Sequence, residues 1–279
     1  MALLSARCRS AFTLSELLIV LAIVAVLIGL VLPAIHRVRL AASRMQSARH
    51  LEQIGTAFRA HHDAQGVLPH GGTQSAAGSG VSSGASPTDR AQWTWAYQIL
   101  PYIQQEAVYK ACVSVVDATP INIYYVPARR SATLYGGYAK IDYAGCAGTG
   151  DNGAVVEGPV AYLRLVDITD GTSNTVLVGE KRLNPLMFGR SADDDKPYAR
   201  AGWSDDFQVH RLGNAQPSRD DPVARDPTPS RAFGSPLCSG FNCVFADGSV
   251  RHVRYNVNLL TWQRACVRND GEVLVVDEL

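Results

Sequence analysis

From Leu17 to Ile35 no charged side chain interrupts a run of Leu, Ile, Val and Ala. About 19 residues of helix at ~1.5 Å each reach roughly 28 Å, close to the ~30 Å hydrocarbon core of a bilayer. Only a helix lets one segment satisfy all its own backbone groups in lipid. The pattern therefore predicts one spanning helix. Pro33 removes an intrahelical hydrogen bond and predicts a kink in its second half. Glu16 stands at the start of the run, where an ionisable group is costly and a functional candidate by default.

The helical pattern continues beyond the apolar run. Val38, Ala41, Met45, Ala48, Leu51, Ile54 and Phe58 recur at three- and four-residue steps, with arginines on the other faces. That predicts an amphipathic extension whose apolar stripe packs on the domain that follows. Gly66 and Pro69 end it. Residues 71–90 are rich in Gly, Ser and Ala and read as a flexible loop. Trp93–Cys112 reads as helical turns broken at Pro101, with aromatic residues in the core. Strand-like runs follow at Ile121–Val126, Ala154–Ile168, Asn174–Glu180, Cys243–Asp247, Ser249–Val253 and Glu272–Glu278. Asp247-Gly248 predicts a hairpin of type I′, and residues 168–174 a turn before a strand. Residues 190–233, with Asp193–Asp195, Asp205-Asp206, Asp220-Asp221 and several prolines, read as a polar, irregular, solvated insertion.

Composition narrows the function classes. A net charge of +1 and a pI near 7.7, with no basic cluster, set nucleic-acid binding aside. The six cysteines contain no C-x-x-C spacing, so neither a zinc ribbon nor a thioredoxin-like motif is indicated. Outside the cytoplasm Cys238 and Cys243 form the closest candidate disulfide; Cys112 has Cys146 or Cys266 as candidate partners, but apart from the close pair the cysteines read better as small buried hydrophobic residues. Arg7 and Arg9 precede the apolar run, which is longer than the core of a cleaved signal peptide. The anchor is expected to stay. Arg37, Arg39 and Arg44 follow it, and a plain count of positive charge would place the domain in the cytoplasm.

The stretch AFTLSELLIVLAIVAVLIGLVLP resembles the processing and methylation segment of type IV prepilins and type II secretion pseudopilins. The resemblance implies cleavage by a prepilin peptidase after Ala11, where relatives usually have Gly. It also implies methylation of Phe12 and pairing of Glu16 with the N-terminal ammonium of a neighbouring subunit. The blocks RLAASRMQSARHLEQIGTAFRAHHDAQGVLP, WTWAYQILPYIQQ, IDYAG, DITDGTSNTVLVGE and FNCVFADGSV resemble the pilin-like family abundant in planctomycetes, domain of unknown function 1559. Its turn motifs fall on Asp170, Gly171, Asn174, Asp247 and Gly248. Two positions depart from the family pattern: Leu237 stands where relatives have His, and Val126-Pro127-Ala128-Arg129 where they read Cys-Pro-Ser-Asp.

The expected fold is α+β and pilin-like, a long N-terminal helix on a mostly antiparallel sheet with long loops. The expected organisation is a leader (1–11), a transmembrane helix (12–35), its amphipathic extension (36–66) and an extracytoplasmic domain (67–279). No catalytic constellation stands out, since Ser173 lacks a G-x-S-x-G elbow and His210 and His252 are isolated. No cofactor is expected. The major pseudopilins that this plan resembles bind calcium, although the Asp runs lack calcium-loop spacing. The function implied is a non-enzymatic pilus or pseudopilus subunit of the cytoplasmic membrane, with a prepilin peptidase and other pilin subunits as partners. The alternative is a membrane-tethered binding module that forms no filament.

Overall fold

The computed structural model describes residues 14–73, 89–158, 162–189, 195, 197–199, 203, 209–221, 232–272, 274 and 279. Helix α1 runs unbroken from Leu14 to Gln65, with Pro33 inside it. It ends where Gly66 takes φ +77° and its amide donates to the His62 carbonyl at 2.7 Å, the left-handed cap that glycine accepts without a Cβ penalty. The chain divides into two compact units, residues 1–42 and 43–279. In the first, every described residue is exposed.

In the second unit, α1 buries one face: Ser47, His50, Leu51, Ile54, Gly55, Ala57 and Phe58. These recur at helical spacing and meet the sheet and the aromatic cluster beside it. Phe58 lies 5.4 Å from Trp95, and the His50 ring donates to the Tyr125 carbonyl at 3.1 Å. The predicted stripe is thus only half right. Leu51, Ile54 and Phe58 are buried, but Val38 and Met45 are 68% and 61% exposed. The face that packs is rotated to include Ser47, His50 and Gly55.

Five strands form one sheet, in the order β3-β1-β2-β4-β5. They are β1 (Tyr143–Cys146), β2 (Val176–Glu180), β3 (His210–Arg211), β4 (Phe241–Phe245) and β5 (Val250–Val253). All neighbours are antiparallel except β1 and β3. One face carries Tyr143, Val178 and Val244 into the core shared with Leu51, Ile54 and Phe58. The other carries Ala144, Cys146, Cys243 and Phe245 against α5 (Leu259–Cys266), through Trp262, Ala265 and Cys266. A bulge between Val176 and Val178 switches β2 from one face to the other.

Short helices fill the Trp93–Cys112 region as expected: α2 (Trp95–Gln98), a 3₁₀ turn over Leu100–Ile103 and α3 (Glu106–Lys110), followed by α4 (Val113–Asp117). Trp93, Trp95 and Tyr97 are buried. Two expected strands are absent. Ile121–Val126 holds a 3₁₀ turn at Asn122–Tyr124. The described part of 154–168 holds only another, at Leu165–Asp167. Tyr124, Tyr125 and Val126 in the first run and Val155, Leu163 and Ile168 in the second are buried, while Tyr162 and Val166 are exposed, so the apolar residues report packing at single positions and not strand periodicity. The strand expected at 272–278 and most of the loops expected at 71–90 and 190–233 lie outside the described residues. The whole is an α+β, pilin-like plan, a long helix on a mostly antiparallel sheet.

Candidate functional site

Glu16 lies in the first turn of α1, where a negative charge is favoured by the helix dipole. Ala11 and Phe12 lie outside the described residues. Around and after Glu16 the helix presents Leu14, Leu17, Leu18, Ile19 and their successors to the exterior on all sides. Among the described residues, α1 is the helix long and apolar enough to cross a membrane. A helix apolar all round needs lipid or other helices about it.

The two turn motifs come together in space. The Asp247 amide donates to the Thr172 carbonyl at 3.0 Å, and the Ala246 amide to Thr175 at 2.9 Å. Gly171 takes φ +98°, and the Asn174 side-chain amide donates to the Asp170 carbonyl at 2.9 Å. The Asp170 carboxylate accepts from the amides of Asp270 and Gly271, tying in the C-terminal segment. The β4–β5 turn differs from expectation, since Gly248 has φ +88° but Asp247 does not share positive φ. The Gly248 amide donates to the Phe245 carbonyl, and the Phe245 amide to Ser249. This is the three-residue loop with a glycine bulge, not type I′. Asp247 instead uses its carboxylate to accept from the Ser249 amide at 2.8 Å and hydroxyl at 2.7 Å. Arg59 of α1 donates to the Asp247 carbonyl at 2.9 Å. All five motif residues serve structure at one corner.

The largest departure from the sequence reading is a buried charged interior. Arg129 makes a bidentate pair with Asp220, at 2.7 and 3.1 Å, and also donates to the Lys181 and Gly234 carbonyls. Arg130 bridges Asp142, at 2.9 Å from Nε, and Asp195, at 2.7 Å from each terminal nitrogen. Its guanidinium also lies 4.6 Å from the ring centres of Tyr135 and Phe188. Burial opposes the charge on Asp195, but Arg130 and the Gly189 amide outweigh it and hold the carboxyl below its usual range. Asp195 and Asp220 belong to the runs expected to be solvated. They are almost fully buried because each meets an arginine with matched geometry. The departure at Val126-Pro127-Ala128-Arg129 supplies one of those arginines.

Glu180, the last residue of the DITDGTSNTVLVGE block, sits beneath α1. The Ser47 hydroxyl and the Asn242 side-chain amide donate to its Oε1. Tyr143 in turn donates to Ser47 at 3.0 Å. Oε2 makes no hydrogen bond, although the Ser235 hydroxyl is near enough to favour the charged form. Burial dominates and pushes the carboxyl up. Asn242 continues the chain by accepting from the His252 ring at 3.1 Å. The sequence signal for this group is weak: Glu180 closes a strand-like run and Asn242 lies just before one.

Ser173 is exposed, and His210 stacks face to face on Trp203 at 3.8 Å, where burial lowers its pKa to about 3. Among the described residues no group of three or more His, Cys, Asp or Glu is placed to hold a metal. The five described cysteines are free. The candidate pair Cys238–Cys243 is not joined, because Cys243 points from β4 into the core beside α5 while Cys238 is exposed.

A profile of the family described as protein of unknown function (DUF1559) matches residues 36–112 and 116–260. A profile of the prokaryotic N-terminal methylation motif matches residues 6–32. No curated protein and no solved structure matches the chain. The first match spans well over half of the sequence, and the chain belongs to the DUF1559 family, with a prepilin-type methylation motif at its start.

Proposed function

We propose that this chain is a non-enzymatic, single-pass subunit of a pilus or pseudopilus. A prepilin peptidase cuts after Ala11 and Phe12 is methylated. The helix then assembles with those of other subunits, Glu16 pairing with a neighbour's N-terminal ammonium, which offsets the burial of both charges. The domain lies on the extracytoplasmic face of the cytoplasmic membrane. One observation carries this reading: the methylation motif leads into a helix that is apolar from Leu17 to Ile35 and exposed throughout residues 14–42.

Mass spectrometry of the mature N-terminus tests it. A chain starting at methylated Phe12 is expected, and one starting at Met1 or after Ala34 overturns the processing. Cross-linking through Ile35→Cys, in a chain with Cys112 and Cys238 changed to Ser, should give a ladder of subunits. A monomer alone would favour the tethered binding module instead. Protease treatment of intact spheroplasts should digest the domain, and full protection would reverse its orientation.

A further inference from the structure

The end of α1 and the loops beside it enclose a cavity of about 620 Å³ that neither turn motif nor the charged interior touches. Its walls include Gln65, Arg90, Tyr102, Tyr109 and Tyr162. The floor is rigid. Tyr97 and Tyr109 stack at 4.8 Å, and the Tyr97 hydroxyl donates to the Tyr109 carbonyl at 2.7 Å. Arg90 donates to the Tyr97 hydroxyl and to the carbonyls of Tyr109 and Ala111, so both of its terminal nitrogens are tied to the wall.

What the cavity offers a visitor is different. The hydroxyls of Tyr102, Tyr109 and Tyr162 and the amide of Gln65 have no hydrogen-bond partner among the described residues. Tyr162 is 64% exposed and Tyr109 36%. Flat apolar rings rimmed by groups that both donate and accept form the surface offered.

Charge narrows the occupant. No Asp or Glu lines the cavity, and the Arg90 guanidinium in its wall opposes a cation. The two histidines of the lining, His61 and His70, are neutral at pH 7. Burial lowers both, His70 to about 4, and His70 Nδ1 accepts from the Gly72 amide. Arg90 is tied to the wall through both terminal nitrogens, and an anion at its remaining N–H groups is the competing outcome that the phosphate probe reads. The size is within the ~300–1,000 Å³ usual for small-ligand sites.

We infer that this cavity binds a short neutral oligosaccharide, its rings stacked on Tyr109 and Tyr162 and its hydroxyls bonded to Tyr102 and Gln65. The inference stands whether or not the chain forms filaments. The test is saturation-transfer NMR on the full chain in a detergent without a sugar headgroup. The probes are cellobiose, maltose, lactose and N,N′-diacetylchitobiose, with a proline-rich peptide, choline and inorganic phosphate alongside. At least one disaccharide should receive saturation, strongest at its ring C–H protons. Tyr162→Ala and Gln65→Ala, both at exposed positions, should each weaken binding at least tenfold with thermal unfolding unchanged. Silence from every disaccharide at millimolar concentration overturns the inference. So does binding that both variants leave intact, or a signal confined to the peptide, choline or phosphate.

Discussion

The amide of Asp247 donates to the carbonyl of Thr172 at 3.0 Å, joining two turns that lie far apart in the chain. The bond depends on the loop geometry that Gly248 permits. A Cβ on Gly248 would meet nothing closer than Arg59 Nη1 at 3.6 Å, so substitution there tests backbone conformation and not space. Gly248→Ala should cost about 1–2 kcal/mol in a denaturant titration, and Gly248→Asn less, because Asn tolerates the left-handed region. Equal midpoints for both variants and the parent would sink this account.

Gly55 presents the opposite case. Its backbone is helical, but a Cβ would fall 2.7 Å from Val244 Cγ2. Gly55→Ala should destabilise by about 1–3 kcal/mol through overpacking, despite the better helix propensity of Ala. Adding Val244→Ala should recover part of that loss. The coupling, measured by a double-mutant cycle, should differ from zero by more than ~0.5 kcal/mol.

Glu180 gives a prediction with a defined sign. Its folded pKa is raised above 4.5, so the folded state holds its proton longer than the unfolded one. Stability is present in full below pH 4.5 and is lost as pH rises through the folded value. Glu180→Gln keeps an acceptor for Ser47 and Asn242 without the charge. Its melting temperature relative to the parent should therefore climb between pH 4.5 and pH 8. A constant difference across that range would refute the assignment.

The charged interior behaves differently. Arg129→Ala leaves Asp220 buried beside no guanidinium, while Asp142 keeps Arg130, and should cost about 3–5 kcal/mol. Arg164→Ala, which breaks the exposed pair with Asp167, should leave the unfolding midpoint where it was. Asp195 adds an acid dependence. Its folded pKa is depressed, so its contribution is present above the ordinary Asp value of 3.8 and disappears as pH falls through the lower folded value. The buried His210 acts at a higher pH, costing stability as pH drops below 6.5 toward about 3. Acid titration of Arg130→Leu should lose the lower of these two phases only.

Thiol labelling offers a simple check on the cysteines. Cys112 and Cys238 are exposed and should react in the native protein, Cys112 faster because Ser114 and nearby amides lower its pKa. Cys146, Cys243 and Cys266 are buried, and burial raises the last two thiols, so all three should label only on unfolding. Peptide mapping after a brief pulse distinguishes them.

Much of this fold was legible where one periodicity ruled. The helix could be followed from its apolar run to Gly66, and β2, β4 and β5 announced themselves through β-branched residues and turns. β1 did not. Tyr143–Cys146 reads YAGC, and with both faces of the sheet covered there is no polar side to mark alternation. β3 is two residues long and is defined by its neighbour, not by its own sequence. α5 was missed because it is only two turns long and carries exposed leucines at its start. The charged interior was unreadable for another reason. Arg129 and Asp220 are 91 positions apart, and no local pattern separates an aspartate that will meet an arginine from one that will meet water.

Gly55 carries a mechanical consequence. With no side chain at that point, α1 and β4 touch backbone to methyl, while Ser47 and His50 bond across the same seam to Glu180 and the Tyr125 carbonyl. Sliding the helix along its axis would bring the side chain of Ile54 or another neighbour against Val244, and rotating it would break the Ser47 and His50 bonds. Tension drawn along this part of α1 is therefore carried into the sheet as shear across a locked joint, and the helix would stretch or fray before it slipped.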